Sequence, residues 1–178
     1  MPDLSVIERR AVHIKLLLMD CDGVLTDGRF WLLENGDEHK GFHAHDGLGL
    51  ELWHRAGLRS GIISGRSSTV VERRARDLKI EFVRQGVDNK LSSFEELLKE
   101  AAIDDSEVAY IGDDLNDIPL LLRAELAVAV ANATEETRSV AHLVTRAAGG
   151  FGAVREVVEI ILKSQGRWAD VTEKYLKG

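Results

Sequence analysis

Two aspartates separated by one residue, Asp20 and Asp22, end an apolar run in "LLLMDCDGVLTDG". Like charges this close, at the end of what reads as a buried strand, cost stability unless a cation sits among them. A second acidic cluster, "GDDLND" with Asp113, Asp114, Asn116 and Asp117, ends another apolar run about 90 residues later. Carboxylates brought together from two strand ends make a hard oxygen site of the kind that Mg²⁺ accepts. Asp20 and Asp113 are the expected carboxylate ligands, and Gly23 lets the backbone turn sharply enough to present a carbonyl. Successive side chains on extended backbone point apart, so Asp20 and Asp22 can take different roles. One carboxylate can attack phosphorus directly and form an aspartyl phosphate. Its neighbour can protonate the departing alkoxide and later take a proton from water. Such a pair suits phosphate ester hydrolysis.

Two further residues extend the set. Ser64, in "SGR", reads on its own as a strand-end turn residue or a helix cap, but at the end of a neighbouring strand it could donate to a phosphate oxygen. Lys90 opens "NKLSSFEELLKEAA", a helix capped by Asp88 or Asn89, where the dipole disfavours a cation. It is either a solvated surface lysine or, with the free N–H groups of that turn, an anion-holding group. The stretch "HKGFHAHD" offers His39, His43 and His45, the last two on one face if the segment is a strand, as a set for Zn²⁺ or Fe. No fourth ligand cluster stands out, and the histidines read better as lining a substrate's approach. Cys21, flanked by acids, reads as a packed small side chain, since adjacent negative charge raises a thiol's pKa.

Positioning these residues is the task of alternating elements. The runs "IKLLLM" (14–19), "LRSGIIS" (58–64), "IEFV" (80–83), "EVAYIG" (107–112) and "LAVAVA" (126–131) predict strands. Between them "GLGLELWHRAG", "STVVERRARDLK", "NKLSSFEELLKEAA", "DIPLLLRA" and "TEETRSVA" predict helices. Strand and helix in alternation specify a doubly wound α/β fold, a mainly parallel sheet covered on both faces. Ligands of such sheets bind outside the carboxyl ends of the strands, near a topological switch point. One segment, about 28–45, breaks the rhythm: its Asn35-Gly36 pair signals a β-hairpin projecting after the first strand. Phe30, Trp31, Leu32 and Leu33 cannot all point inward from a two-stranded ribbon, so they either pack on the chain's own sheet or meet another subunit.

Composition narrows the partners. A chain of 178 residues with 44% apolar content predicts one domain over 1–178, with a tail from about 166 to 178. Lys and Arg total 23 against 30 Asp and Glu, a net charge of −7, which argues against nucleic acid as a partner. No signal peptide and no membrane-length apolar stretch is visible, and the single cysteine fits a reducing compartment, so a cytoplasmic location is expected.

The set "DCDGVLTDG", "IISGR", Lys90 and "GDDLND" resembles, in the correct order, the four motifs of the haloacid dehalogenase superfamily phosphatases. The resemblance implies Asp20 as nucleophile, Asp22 as general acid and base, and Ser64 and Lys90 as stabilisers of the transferring phosphoryl group. It further implies Mg²⁺ on Asp20, the Asp22 backbone carbonyl and Asp113, with Asp114 and Asp117 as supports. Only a hairpin's worth of sequence is available for a cap, as in capless members. Over roughly residues 10–167 the chain is most similar to the 3-deoxy-D-manno-octulosonate 8-phosphate phosphatase family of lipopolysaccharide synthesis, through "HAHDGLG", "SGR" and "GGFGAVREVVEIILKSQG". That similarity implies a homotetramer assembled through the hairpins, the neighbouring subunit closing the site in place of a cap. It also implies substrate contacts at Asp22, Lys90, His43, His45, Asp46, Gly47, Arg66, Arg74 and Asn116.

Arg66 favours the octulosonate over nine-carbon sialic-type acid phosphates, whose phosphatases tend to carry Glu there. His45, Glu51 and Phe151 stand where arginines are expected. The rival expectations are therefore a sialic-type 9-phosphate as substrate or, in another class, a non-catalytic assembly module. The tail "RWADVTEKYLKG" reads either as a surface helix or as a segment docking near a neighbour's site.

Overall fold

The computed structural model describes residues 4–34 and 36–177. In chain order the first elements are α1 (Leu4–Ala11), β1 (Leu16–Met19), β2 (Trp31–Leu32), β3 (Glu38–His39), α2 (Ala44–Arg55), β4 (Arg59–Ile63), α3 (Thr69–Asp77) and β5 (Phe82–Arg84). They are followed by α4 (Lys90–Ala101), β6 (Val108–Gly112), α5 (Ile118–Leu121), β7 (Leu126–Ala129), α6 (Glu135–Val140), β8 (Leu143–Val144), α7 (Ala153–Ser164) and α8 (Trp168–Leu176).

The main sheet has the order β5-β4-β1-β6-β7-β8 with every pairing parallel. From β1 the chain winds outward through β4 to β5, then returns to β6 on the other side of β1 and winds outward again. The direction reverses beside β1, which places a crevice at the carboxyl ends of β4, β1 and β6. Met19 is level with Ile62 of β4 and Ile111 of β6, so Asp20, Ser64 and Asp113 leave the sheet at one edge.

Strand alternation explains the two-sided core. Leu17 and Met19 join a cluster with Leu50, Trp53, Val154 and Ile161, while Leu16 and Leu18 join one with Phe94, Leu97, Tyr110 and Leu120. Helices α2 and α7 thus cover one face and α4 and α5 the other. A strand apolar on both faces reads as an unbroken run, which is why "LLLM" shows no alternation.

The hairpin forms as an antiparallel pair, Trp31 level with His39 and Leu32 with Glu38. The Leu33 N–H donates to the Asp37 carbonyl at 2.9 Å, and Gly36 takes the positive φ of 88° that its turn requires; Asn35, the other half of the expected turn, lies outside the described residues. Phe30, Trp31, Leu32 and Leu33 are 39%, 55%, 71% and 40% exposed, so the chain's own sheet does not cover them.

One local expectation is corrected. Residues 44–55 are helix α2, so His43 and His45 do not share a strand face: His43 precedes the first turn and His45 lies within it. The glycines of "HDGLGLE" are helical because of close packing, since a Cβ on Gly49 would press on the Arg155 backbone and one on Gly47 on the Arg74 guanidinium. The tail is helix α8, with Val171 buried, Trp168 5.1 Å from the Arg155 guanidinium, and the Val171 carbonyl accepting from Arg55 at 3.0 Å.

Candidate active site

At the end of β1, Asp20 is buried and its Oδ1 lies 2.9 Å from Lys90 Nζ. Lys90 comes from the first turn of α4, whose N-cap is Asn89, its side chain accepting the Ser92 N–H at 3.2 Å. The lysine points inward, its ammonium also 2.7 Å from Asp117 Oδ1 and 3.4 Å from Asn116 Oδ1. Burial pulls this ammonium down, but Asp20 and Asp117 outweigh it and hold its pKa above the usual lysine range. The sequence left open a solvated surface lysine; the structure buries it between two carboxylates.

The loop after β6 supplies the remaining acids. Asp117 Oδ1 accepts from Lys90 and from the Tyr110 hydroxyl, both at 2.7 Å, and Oδ2 accepts the N–H groups of Asp113 at 3.0 Å and Asp114 at 3.3 Å. A carboxylate has about four lone-pair sites, so Asp117 is saturated and shapes the loop instead of offering oxygen to an ion. Asp114 caps the same turn, accepting the Leu115 N–H at 2.7 Å.

Among the described residues no hydrogen-bond donor satisfies the Asp113 carboxylate in this way, and the Lys90 charge offsets its crowding only in part. Oxygens of Asp20, Asp113 and Asp117 lie within 4.8 Å of one another, with Lys90 as the cation bonded to the group. Burial, then the charges of Asp20 and Asp117, push the Asp113 carboxyl up to about 8. Burial, then Asp117, push Asp20 up to about 6 against the pull of Lys90. Carboxyls forced toward neutrality by each other are a site where a divalent cation gains by binding. Gly23, at φ 100°, fits that reading: a Cβ there would run into the Asp113 carboxylate.

Asp22 turns to a different cation. Its carboxylate oxygens lie 2.6 and 2.8 Å from Lys40 Nζ, which arrives from the hairpin, while the Thr26 hydroxyl reaches Oδ1 only at 3.4 Å. Asp20, Asp22, Ser64, Arg66, Lys90, Asp113 and Asn116 line one cavity of about 130 Å³. Ser64 is buried there, its Oγ accepting the Arg66 N–H at 3.3 Å. The Arg66 guanidinium stacks 4.2 Å from the Phe30 ring centre and donates to Glu38 Oε2 at 3.3 Å.

The other expected substrate contacts stand apart from this cavity within one chain. Asp46 is buried and accepts the N–H groups of Gly152 at 3.2 Å and Arg155 at 2.8 Å, satisfying the start of α7. Gly47 and Arg74 line a hollow of about 800 Å³ between α2 and α3 that shares no residue with the acidic cavity. His43 and His45 meet edge to face at 4.9 Å, and His43 Nδ1 is buried without a hydrogen-bond partner among the described residues. Among the described residues these histidines belong to no metal-ligating group. His45 and Phe151 are exposed, and Glu51 pairs with Arg55.

Sequence reasoning missed Tyr110, Glu38 and Lys40. Tyr110 sits inside the apolar run "EVAYIG", where its hydroxyl was the only signal. Glu38 and Lys40, two residues apart on a strand end, share a face and could have been read as a pair aimed at the acids.

Comparisons with known proteins give the family and the fold. The family of haloacid dehalogenase-like hydrolases matches residues 57–157. A 3-deoxy-D-manno-octulosonate 8-phosphate phosphatase of Escherichia coli strain B is 44% identical over 166 residues, covering 93% of this chain and 88% of that protein. The crystal structure of such a phosphatase from Moraxella catarrhalis, in complex with a magnesium ion, a phosphate ion and a KDO molecule, superposes with a TM-score of 0.95 at 42% identity, covering 97% of this chain and 99% of that one. A probable YrbI family phosphatase from Pseudomonas syringae gives a TM-score of 0.95 at 45% identity, covering 98% and 99%.

Proposed function

Since the chain belongs to the haloacid dehalogenase-like hydrolases, in the 3-deoxy-D-manno-octulosonate 8-phosphate phosphatase family, and is a phosphoric monoester hydrolase, we propose that its substrate is 3-deoxy-D-manno-octulosonate 8-phosphate. The observation that carries the mechanism is the division of the two aspartates, Asp20 held by Lys90 in the acidic cluster and Asp22 held by Lys40 at the cavity's edge.

An Asp20 oxygen attacks phosphorus, forming an acyl phosphate as the bond from phosphorus to the sugar oxygen breaks. Asp22 gives its proton to that oxygen, releasing the sugar acid. Asp22 then takes a proton from water as the water oxygen attacks phosphorus, and the bond to Asp20 breaks, releasing phosphate. Lys90 and the Ser64 hydroxyl face the equatorial oxygens, where charge stabilisation supplies most of the rate. Mg²⁺ is the cofactor of this reading; Asp20, Asp113 and the Asp22 carbonyl would hold it, and it supplies the positive charge that one lysine among these acids leaves wanting. Asp117, already saturated, holds Lys90 and the Asp113 loop in place.

The exposed apolar face of the hairpin supports the further reading of a homotetramer in which a neighbour closes the cavity, a closure that could bring His43, His45, Asp46, Gly47 and Arg74 to a substrate. Residues 1–178 are taken as one catalytic domain. A cytoplasmic role in lipopolysaccharide synthesis goes with the substrate, and among the described residues no helix is long and apolar enough to cross a membrane.

The test is phosphate release with Mg²⁺ from the octulosonate 8-phosphate, beside a sialic-type 9-phosphate and simple sugar phosphates. Preference for the octulosonate is expected. Preference for the nine-carbon acid would move the substrate and put His45, Glu51 and Phe151 at the centre of specificity. A chain inert toward every ester would favour the assembly-module reading.

A further inference from the structure

The hairpin reaches Asp22, at the cavity's edge, through one residue to which the mechanism above gives no step. Lys40 follows β3, and its side chain is only 1% exposed. Its ammonium is bonded to both oxygens of Asp22, at 2.6 and 2.8 Å, and stands 3.7 Å from Glu38 Oε1 and 5.9 Å from the centre of the Phe30 ring. The other groups beside the Asp22 carboxylate hold it weakly: the Thr26 hydroxyl is 3.4 Å away, and Arg66 Nε is 3.7 Å away, beyond hydrogen-bond range. Arg66 is itself turned aside, donating to Glu38 and stacked on Phe30.

A carboxylate that must meet a leaving oxygen has to be fixed in direction, and loose placement of a proton donor costs rate without costing substrate binding. We propose that Lys40 is a positioning residue, holding the Asp22 carboxyl group at the edge of the cavity so that its proton reaches the leaving oxygen as the bond to phosphorus breaks. Glu38 and the Phe30 ring flank Lys40 at 3.7 and 5.9 Å, without a hydrogen bond, so the base of the hairpin aims the general acid while the strand ends aim the nucleophile. This inference rests on the phosphatase reading and on the role given there to Asp22.

The discriminating readout is the leaving group. An alkyl phosphate such as the octulosonate 8-phosphate departs as an alkoxide that needs a proton, whereas 4-nitrophenyl phosphate departs as a stable phenolate that does not. Lys40→Met keeps the buried length and removes the bonds to Asp22. Its kcat on the alkyl ester is expected to fall about 100-fold, the low end of what a general acid supplies, with KM changed far less and with a much smaller loss on the aryl ester. In an Asp22→Ala background the same substitution is expected to add nothing.

Activity on the aryl ester also reports that the variant is folded. If Lys40→Met does not fold, Lys40→Gln, neutral but able to donate one hydrogen bond, is read by the same alkyl-to-aryl ratio. Equal losses on both esters, or an unchanged kcat on the alkyl ester, would overturn the inference while leaving an active wild type and its phosphatase reading intact. A wild type inactive on both esters would overturn that reading, and this inference with it.

Discussion

The two sides of the cavity are built differently. On one side Asp20, Lys90, Asp113, Asp117 and Tyr110 come from strand ends and a helix start, are mostly buried, and are tied by bonds of 2.7 to 3.0 Å. On the other side Asp22 is held by Lys40, and Arg66 by Glu38 and Phe30, from a hairpin whose outer face is exposed apolar surface. In the proposed mechanism the sheet fixes the attacking side of the reaction, where charge must be preorganised. The hairpin, in the same proposal, fixes the departing side, which differs from one substrate to the next. One fold can keep its chemistry and change its ester by changing the hairpin alone.

Substitutions on the sheet side should act alike on every ester. Asp20→Asn is expected to lower kcat on the order of 10⁴-fold or more for alkyl and aryl phosphates equally, with the fold retained by circular dichroism. Normal turnover in a folded Asp20→Asn protein would remove the nucleophile from its role. On the hairpin side Asp22→Ala should cost about 10³-fold on the octulosonate 8-phosphate and far less on 4-nitrophenyl phosphate. A loss independent of the leaving group would erase the division between the two sides.

Smaller effects sharpen the contrast. Asp117→Asn removes one charge from a saturated network and should cost about 3 kcal/mol of stability, measured by urea denaturation. Retention of full stability would make the network incidental.

Mg²⁺ should stabilise the chain in a pH-dependent way. Asp20, at about 6, and Asp113, at about 8, both titrate above the free-aspartate value of 3.8. Between about pH 4 and pH 8 the folded metal-free protein therefore holds more protons than the unfolded chain, and its stability falls as pH rises. The rise in Tm on adding Mg²⁺ should accordingly be larger at about pH 8 than at about pH 5, as read by differential scanning fluorimetry. Equal shifts at both values would separate the metal from these carboxyls. Leu32→Glu, on the exposed hairpin face, should leave circular dichroism unchanged and lower the mass seen by light scattering; an unchanged mass would take this face out of the assembly.

The sheet side was legible in the sequence; on the hairpin side the hairpin itself, Asp22 and Arg66 were legible, and Lys40 and Glu38 were not. Asp20, Ser64 and Asp113 each follow an apolar run, and a parallel sheet brings such ends to one edge. That inference needs periodicity and topology only. Lys90 was legible as an odd placement at a helix start, though not as a buried one.

Lys40 lies beyond a turn in a ribbon of two-residue strands, and no pattern that short fixes where a side chain ends up. Strand β8, equally short, gave no signal for the same reason. Helix α2 was expected from Gly47 and begins at Ala44, because the histidines before it read as a strand face; Gly47 and Gly49 are kept small by close packing against Arg74 and Arg155. The bonds that tie Asp46 to the start of α7 join residues more than 100 positions apart, which local pattern cannot reveal.

The most direct test of the account is to trap the covalent intermediate. The protein is mixed with the octulosonate 8-phosphate and Mg²⁺, quenched in acid within the first turnover, reduced with borohydride to convert any acyl phosphate to an alcohol, and mapped by mass spectrometry. Reduction at Asp20 alone is the expected result, with none in Asp20→Asn. Reduction at Asp22 or Asp113, or phosphate released by an active enzyme with no trapped carboxylate at all, would contradict it.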